Sequence, residues 1–332
     1  MFSRLTSTHS FLLIVLCSTF LLFLIVLYST FHTGKPKPKS WQTLLEEHKE
    51  LLAHTPIIMK QYEAYKQNDI PSGSDARITT IPVEECNEAV VDLKSPAFLQ
   101  NSPRMYMMPD PTYPLQGPEY NSGLPGNSRI RATVANKLLN MIDKLDMIAP
   151  YFGYEVGQIH LQVCDAFRNK QIQEFSFNSH QQEIAAKHPD WSPEKVYNET
   201  SKFIAPSKPP FIHPSGAAAD IRLWDSKNKK YLDMGEFGVP WMKDPSTVPT
   251  FAENITEQQK INRLFCIIAS ELAGLVNYPG EFWHFSFGDC MATYWSSSTL
   301  GEYKVIYDLI EAEKLEISIE NGHFKIIVLD EK

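Results

Sequence analysis

Two short segments constrain the fold of this chain more than any other feature: HPSGAAAD at residues 213–220 and EFWH at residues 281–284. Between them they carry four candidate functional side chains, His213, Asp220, Glu281 and His284. Two imidazoles and a carboxylate suit a catalytic zinc ion, which takes three protein ligands and keeps a fourth position open for water. Taken singly, each residue is as well explained by a surface, capping or core position. The ordered combination favours a Zn²⁺ site, with Glu281 as the spare carboxylate that accepts a proton from the water.

The first segment leads into a predicted strand, AADIRLW. Alternation along a strand places Asp220 on the face opposite Ile221, so its carboxylate can point away from the apolar core. His213 precedes the strand in a loop that contains Pro214 and Gly216. The small residues of this loop allow a close approach of the chain, which would fold His213 back toward Asp220.

The second segment needs a turn to bring its two polar residues together. In a continuous strand Glu281 and His284 would point to opposite faces. The preceding Asn-Tyr-Pro-Gly at residues 277–280 is typical of a turn, which places Glu281 at the turn exit and starts the extended part at Trp283. Glu281 and His284 can then face one site, and the neighbouring aromatic residues are expected to be core or pocket wall.

An apolar stretch near the N-terminus predicts a membrane segment. Residues 11–28 carry no charged side chain, and a stretch of this length reaches the lower end of the roughly 17–25 residues that cross a bilayer as a helix. No clear small-residue cleavage site follows, so we favour an uncleaved signal anchor over a secreted protein whose signal peptide is removed. Lysine or arginine residues lie on both sides of the stretch, and the charge rule gives little support for either orientation.

Composition bounds the class of partner. The chain has 332 residues, 43% of them apolar, and a net charge of −8 without a long basic run, which argues against a nucleic-acid partner. Five widely spaced cysteines contain no CxxC pair, so neither a zinc knuckle nor a dense disulfide scaffold is indicated. Their spacing does not decide the redox compartment.

Helix and strand signals are mixed along the rest of the chain. Helical periodicity begins at Trp41, with Pro56 expected to end or kink that element, and a polar stretch at residues 68–77 reads as a linker. The proline-rich residues 101–126 predict a long loop. A helical stripe that stops at Pro150, a strand at 159–164, a second helix capped by Thr256 and a hairpin at Asn321-Gly322 follow. Because strands and crossover helices do not alternate regularly, we predict an α+β fold.

The motifs resemble those of one peptidase family. HPSGAAAD, LDMG at 232–235, NRLF at 262–265 and GLVNYPGEFWHFSFGD at 274–289 resemble the zinc D-alanyl-D-alanine dipeptidases of the VanX type, peptidase family M15. CDAFR at 164–168 is similar to an Asp-aromatic-Arg element of that family. The resemblance covers roughly residues 78–298. It implies a compact domain with a central antiparallel sheet flanked by helices, a fold shared with muralytic zinc peptidases and the Hedgehog signalling domain.

The resemblance also implies roles for individual residues. His213, Asp220 and His284 would bind one Zn²⁺, Glu281 would be the general base and acid, and Arg168 would stabilise the charge on the tetrahedral oxygen. The alternative for Arg168 is a structural ion pair with Asp165. Three residues are candidates for substrate binding: Phe211, Glu236 and Trp283. Phe211 replaces a serine that is common in the family, and Glu236 either substitutes for the aspartate that binds the substrate amino group or leaves that recognition absent.

These observations predict a membrane-anchored zinc peptidase. We expect residues 1–10 in the cytoplasm, 11–28 in the inner membrane, 29–77 as a linker and helical stalk, 78–298 as the zinc peptidase domain, and 299–332 as a helix and hairpin extension. The domain would face the periplasm or the cell exterior and cleave D-Ala-D-Ala or a related cell-wall peptide. One alternative is a DD-carboxypeptidase acting on peptidoglycan stem peptides. Another is a non-catalytic module that binds cell-wall peptide. The oligomeric state is left open.

Overall fold

A computed structural model describes residues 38–100, 102, 104–107, 127–202, 204–206, 208, 211–237, 244–300, 305–310, 314–320 and 323–329. Two compact units divide the chain, Met1–Lys39 and Ser40–Lys332, and every element below belongs to the second. Within the described ranges, no helix combines the length and apolarity needed to cross a bilayer. The predicted span at residues 11–28 lies outside these ranges, as does most of the predicted loop at 101–126.

The secondary structure of the second unit mixes helices and short strands. The α-helices are α1 (Trp41–Glu47), α2 (Lys49–Leu52), α3 (Pro56–Lys66), α4 (Ala76–Thr79), α5 (Pro96–Gln100), α6 (Ala132–Ile148), α7 (Lys170–Lys187), α8 (Pro193–Thr200), α9 (Glu257–Leu272) and α10 (Cys290–Leu300). The strands are β1 (Val90–Asp92), β2 (Met105–Met107), β3 (Arg129–Arg131), β4 (Ile159–Asp165), β5 (Ala218–Asp225), β6 (Lys230–Tyr231), β7 (Val276–Asn277), β8 (His284–Ser286), β9 (Lys314–Glu320) and β10 (His323–Leu329). Short 3₁₀ turns occur at Ala149–Phe152, His213–Ser215 and Pro245–Thr247.

One six-stranded sheet forms the centre of the unit. Its order is β2-β4-β5-β8-β7, and β6 pairs with β5 outside this path. All pairs are antiparallel except β2 with β4, which is parallel. The prediction of an α+β domain is therefore confirmed, and the predicted antiparallel sheet is corrected at β2, which lies in the stretch expected to be a loop. Two smaller antiparallel sheets pair β1 with β3 and β9 with β10.

Two long helices pack against this sheet, as their apolar stripes predict. Helix α6 contacts α9 and β4, and buries Leu138, Met141 and Leu145. Helix α9 begins with the predicted capping box, in which the Thr256 hydroxyl accepts from Gln259 N and the Gln259 side chain accepts from Thr256 N. This reciprocal pair satisfies N–H groups that have no partner within the helix.

Strand β5 carries the alternation that places one functional residue. Ile221 and Leu223 are fully buried, whereas Arg222 and Trp224 are only partly buried. Asp220 belongs to the second set by position but is itself buried, and it lies on a central strand that pairs with β4 along one edge and β8 along the other. A buried carboxylate in the middle of a sheet requires charged or hydrogen-bonding partners.

The N-terminal helices belong to the same unit as the sheet. Trp41 has no exposed surface, its Nε1 donates to Ala252 O at 3.0 Å, and its ring meets the Phe251 ring edge-on. The boundary predicted at residue 78 falls inside the unit Ser40–Lys332, and Trp41 packs within that unit. Pro56 begins α3 rather than ending a helix, since the first helical position needs no backbone N–H.

Candidate metal centre

Three buried side chains converge at the middle of the sheet. His213, Asp220 and His284 each offer one ligand atom, and these atoms lie within 4.8 Å of one another. Asp220 Oδ1 is 3.4 Å from His213 Nε2 and 3.0 Å from His284 Nδ1. Ligands about 2.0–2.1 Å from a tetrahedral zinc ion are separated by roughly 3.3 Å. The donor set and these two spacings fit a single zinc ion.

Strand pairing and a tight turn create this convergence. Asp220 on β5 lies directly opposite His284 on β8, so two of the three ligands are neighbours in one ladder. His213 begins the 3₁₀ turn His213–Ser215, and Gly216 ends it in the left-handed region at φ 71°. Glycine adopts this conformation without the steric cost of a Cβ, so the chain can reverse here and enter β5.

A backbone contact orients the His213 ring. Its Nδ1 lies 2.7 Å from the carbonyl oxygen of Ala166. A carbonyl oxygen can only accept, so Nδ1 carries a hydrogen and Nε2 is the ring nitrogen that faces Asp220. Metal-binding histidines usually have an outer partner of this kind, which fixes both the tautomer and the ring plane.

Charge is unevenly distributed among the acidic groups of the centre. Burial disfavours the ionised form of Asp220, but His213 and His284 outweigh it and hold the pKa of this carboxyl well below its usual range. Burial raises the pKa of Glu281 to about 8, and the negative charge of Asp220 adds to this rise. A bound cation would lower the pKa of Glu281 again, because an opposite charge nearby favours the ionised carboxylate.

Glu281 lies where the turn prediction places it. Its N–H donates to Tyr278 O at 2.9 Å, and His284 N donates to Glu281 O at 3.3 Å. The chain turns at Glu281 before β8 begins at His284, one residue later than predicted. As a result Glu281 and His284 line the same pocket rather than opposite faces of a strand.

Arg168 forms the ion pair considered for it and also lies beside the candidate ligand group. Its Nε and Nη2 donate to Asp165 Oδ2 at 3.0 and 2.7 Å, which is the ion pair with Asp165. Its Nη2 also lies 3.6 Å from Asp220 Oδ2, and its side chain lines the pocket beside Glu281. The guanidinium is held by Asp165 in a position from which it faces the metal-ligand group.

The pocket over this group is narrow, with a volume of about 80 Å³. Its described lining includes polar residues of the centre and apolar side chains, among them Arg168, Ile172, Gln173, Ile204, Phe211, His213, Asp220, Tyr278, Glu281, Trp283, His284 and Met291. Phe211 and Trp283 thus lie at the site, as expected for substrate-binding candidates. Glu236 is exposed and lies outside this described lining.

Comparison with known proteins assigns the family. The family model for peptidase M15, described as D-ala-D-ala dipeptidase, matches residues 130–300, just over half of the 332-residue chain. The chain belongs to the peptidase M15 family. All eight predicted site residues of this M15 member lie within the matched range. They are Arg168, Phe211, His213, Asp220, Glu236, Glu281, Trp283 and His284.

Two individual proteins are similar to this M15 member. A D-alanyl-D-alanine dipeptidase of Synechocystis sp. is 25% identical over 232 residues, which cover 63% of this chain and 85% of the relative. A crystal structure of a mutant of the vancomycin resistance D,D-pentapeptidase VanY, from the VanB-type cassette and in complex with Zn(II), is 14% identical. It covers 49% of this chain and 75% of its own, with a TM-score of 0.29.

The structure adds pocket residues that sequence patterns do not indicate for this M15 member. Gln173, in the first turn of α7, accepts from Arg168 Nη1 at 2.8 Å and donates through Nε2 to Ala205 O at 2.5 Å. Ser176 of α7 and Ser201, which follows α8, also line the pocket. Proximity to CDAFR is the only sequence signal for Gln173 and Ser176, and Ser201 has no such signal.

Proposed function

We propose that this chain is a zinc-dependent peptidase that hydrolyses D-Ala-D-Ala or a related short cell-wall peptide. One observation carries the proposal. The buried group His213, Asp220 and His284 shares a pocket with a spare carboxylate, Glu281, and a fixed guanidinium, Arg168. Membership of the peptidase M15 family and the name of the Synechocystis relative support the substrate class.

Three side chains would hold the zinc ion. His213 would bind through Nε2, Asp220 through Oδ1 and His284 through Nδ1, the three atoms that face one another. A zinc ion held here would supply Lewis-acid activation of water and of a peptide carbonyl. The charge of Asp220 is well suited to this role because its low pKa keeps it ionised across the physiological range.

Glu281 would carry the proton. It is not one of the three converging ligands, so its carboxylate is available to accept a proton from the attacking water and to deliver it to the leaving amine. A proton carrier works best when its pKa lies near the working pH. Burial raises the pKa of Glu281 toward that range, and a cation beside the carboxylate would limit the rise of this pKa.

Arg168 would stabilise charge that develops on the substrate. Asp165 holds its guanidinium from one side and Gln173 from another, so the group does not need to reorganise during the reaction. Preorganised donors of this kind stabilise a tetrahedral oxyanion more than the neutral carbonyl from which it forms. The 3.6 Å separation from Asp220 places the guanidinium next to the ligand group.

Pocket size and lining favour a small substrate. A volume of about 80 Å³ is far below the roughly 300–1,000 Å³ of sites for drug-sized ligands. The apolar walls, including Phe211 and Met291, suit short aliphatic side chains such as those of alanine. Within the described part of the lining, Asp220 and Glu281 are the carboxylates, and Glu236 is not among them. That observation favours a second candidate, a DD-carboxypeptidase, because longer stem peptides need no clamp for a free amino group beside the scissile bond.

We propose further that residues 11–28 anchor the chain in the inner membrane, with the peptidase domain on the periplasmic or extracellular side. The uncharged apolar stretch supports this placement. Secretion after cleavage of the same segment is the alternative. Membrane fractionation with N-terminal sequencing of the mature chain separates them, because a soluble chain that begins beyond residue 28 would exclude the anchor.

The experiment that tests the activity uses the purified chain with a zinc determination and four substrates: D-Ala-D-Ala, L-Ala-L-Ala, a stem tetrapeptide and a stem pentapeptide. We expect one zinc per chain and turnover of D-Ala-D-Ala, whereas turnover of the pentapeptide alone would identify the carboxypeptidase. Glu281→Gln should abolish turnover and retain zinc, and Glu50→Gln, at an exposed side chain, is the control. Peptide binding without turnover of any substrate would indicate the non-catalytic module.

A further inference from the structure

The turn that carries His213 is held partly by segments outside the family match. We define the metal turn as His213–Gly216. Its first carbonyl, His213 O, accepts from Gly216 N within the turn. The next three carbonyls accept from elsewhere: Pro214 O from Ile310 N, Ser215 O from Arg131 Nε, and Gly216 O from Arg131 N, each at 2.9 Å. All four carbonyls of the metal turn are thus bound, three of them from distant parts of the chain.

Arg131 is the centre of this arrangement. It is a buried residue with 5% exposure, and its guanidinium bridges the metal turn to the segment before β1. Nη1 and Nη2 reach the two carboxylate oxygens of Glu85 at 3.1 and 3.0 Å. Nη1 also donates to Glu88 O at 2.9 Å, and Nη2 donates to Asp308 O at 3.1 Å. A buried guanidinium with this many partners has one orientation.

The segment Val305–Ile310 also contacts the metal turn. Besides the bond from Ile310 N to Pro214 O, a Cβ added at Gly216 would lie 2.5 Å from Ile310 Cδ1, so the side chain packs where only glycine leaves room. Tyr307 lies 5.0 Å from the Arg131 guanidinium, measured to its ring centroid. Glu85 N-terminally and Val305–Ile310 C-terminally both lie outside residues 130–300.

We propose that Glu85, Arg131 and Val305–Ile310 form a clamp on the metal turn that sets how slowly this chain releases its metal. The inference rests on the proposed zinc site and assigns a role to part of the C-terminal extension. Arg131 and Glu85 are positioning residues, since they act through the backbone of the metal turn and not on substrate.

The geometry explains why the clamp would control release. His213 is tied to Ala166 O through Nδ1, and its backbone is tied to β5 through the metal turn. If the Arg131 guanidinium no longer held the carbonyl of Ser215, the turn could shift while the Asp220–His284 pair stayed in the sheet. Only one of three ligands would then move. Loss of outer partners in metal sites typically lowers metal affinity about 10–100-fold.

The test measures zinc release from the full chain to an excess of a chromogenic chelator under native conditions. Arg131→Lys retains the charge but loses the branched donor set, and we expect release to become about 10–100-fold faster. Arg263→Lys is the matched control. Arg263 is also buried and donates to Met234 O, Pro249 O and Thr247 O, but these bonds lie away from the metal turn.

Two further variants keep the test valid if Arg131→Lys does not fold. Ile310→Pro removes the N–H that reaches Pro214 O, whereas Ile310→Val retains it, so only the proline variant should release zinc faster. Glu85→Gln should give a smaller increase, because one carboxylate oxygen is retained as an amide carbonyl. Unchanged release in the folded Arg131, Ile310 and Glu85 variants, or equal acceleration in Arg263→Lys, would overturn the clamp.

Failure of the clamp differs from failure of the proposed function. If the unmodified chain binds no zinc, the proposed metal site is wrong and release cannot be measured. If the unmodified chain binds zinc and the clamp variants release it at the same rate, the zinc site stands and the clamp is wrong. Thermal unfolding of each metal-free variant shows whether the variant is less stable than the unmodified chain. We expect Arg263→Lys to lower stability as well but to release zinc at the unmodified rate, so lower stability alone would not account for faster release.

Discussion

Asp220 and His284 lie directly opposite each other in the β5–β8 ladder, with Asp220 Oδ1 3.0 Å from His284 Nδ1. The pairing couples two parts of the candidate centre to the register of the sheet. A shift of one residue between these strands would turn one of the two side chains to the other face. The strand register therefore decides whether these two candidate ligands face each other.

Removal of the Asp220 charge is expected to abolish metal binding. Asp220→Asn preserves the size of the side chain but leaves an amide that binds zinc poorly, and we expect a loss of affinity greater than the roughly 10–100-fold of an outer-shell substitution. Zinc content after dialysis against a weak chelator measures this. Asp225→Asn on the same strand is the control, and a zinc-replete Asp220→Asn variant would contradict the assignment.

Arg168 is expected to act in turnover rather than in zinc binding. Loss of one oxyanion donor typically lowers kcat by about 10²–10³-fold, and Arg168→Ala should fall in this range while its zinc content stays that of the unmodified chain. Asp165→Asn tests the structural alternative, because it removes the charge of the ion pair while the amide oxygen and Gln173 can still accept from the guanidinium. A full kcat in Arg168→Ala would leave Arg168 only the ion pair.

Trp41 is expected to contribute to the stability of the peptidase domain. Trp41→Ala removes a fully buried ring and its bond to Ala252 O, which should lower the free energy of unfolding by about 3–5 kcal/mol. Urea unfolding followed by circular dichroism measures the change. Met147→Ala, at a side chain with 52% exposure, should change it by less than about 0.5 kcal/mol. Equal stability of the two variants would favour the separate stalk predicted from the sequence.

Stability is expected to fall with rising pH because of Glu271. Burial raises the pKa of Glu271 to about 7, although its two oxygens accept from Ile57 N and Ile58 N at 2.8 and 3.0 Å. The folded pKa exceeds the unfolded value of about 4.3, so the contribution is fully present below pH 4 and is lost as pH rises through 7.

Glu271→Gln provides the comparison, since an amide does not titrate. The free energy of unfolding, measured in urea at pH 5 and pH 8, should change more between the two pH values in the unmodified chain than in Glu271→Gln. From the displacement of the pKa, the difference is on the order of 3 kcal/mol. The same pH dependence in both chains would show that Glu271 is ionised in the fold throughout this range.

Local sequence patterns predicted those elements whose signal lies within a short window. Helices α6 and α9, strands β4 and β5, and the β9–β10 hairpin all follow from apolar periodicity or from capping and turn residues. Strand β2 was missed because its three residues, Met105–Met107, lie among prolines and pair in parallel with a strand far along the chain. A pairing of that kind leaves no periodic trace.

The same distinction separates the residues of the candidate centre. By itself, the sequence determined which side chains have the chemistry for a zinc peptidase, since His213, Asp220, Glu281 and His284 are recognisable as two short motifs. Only the tertiary structure decided how these groups are held. The Ala166 carbonyl behind His213, Gln173 beside Arg168 and the clamp on the metal turn all come from segments remote in sequence. The physical reason is that a buried polar group must be satisfied by whichever donor or acceptor the fold brings to it, and that choice follows packing rather than sequence order.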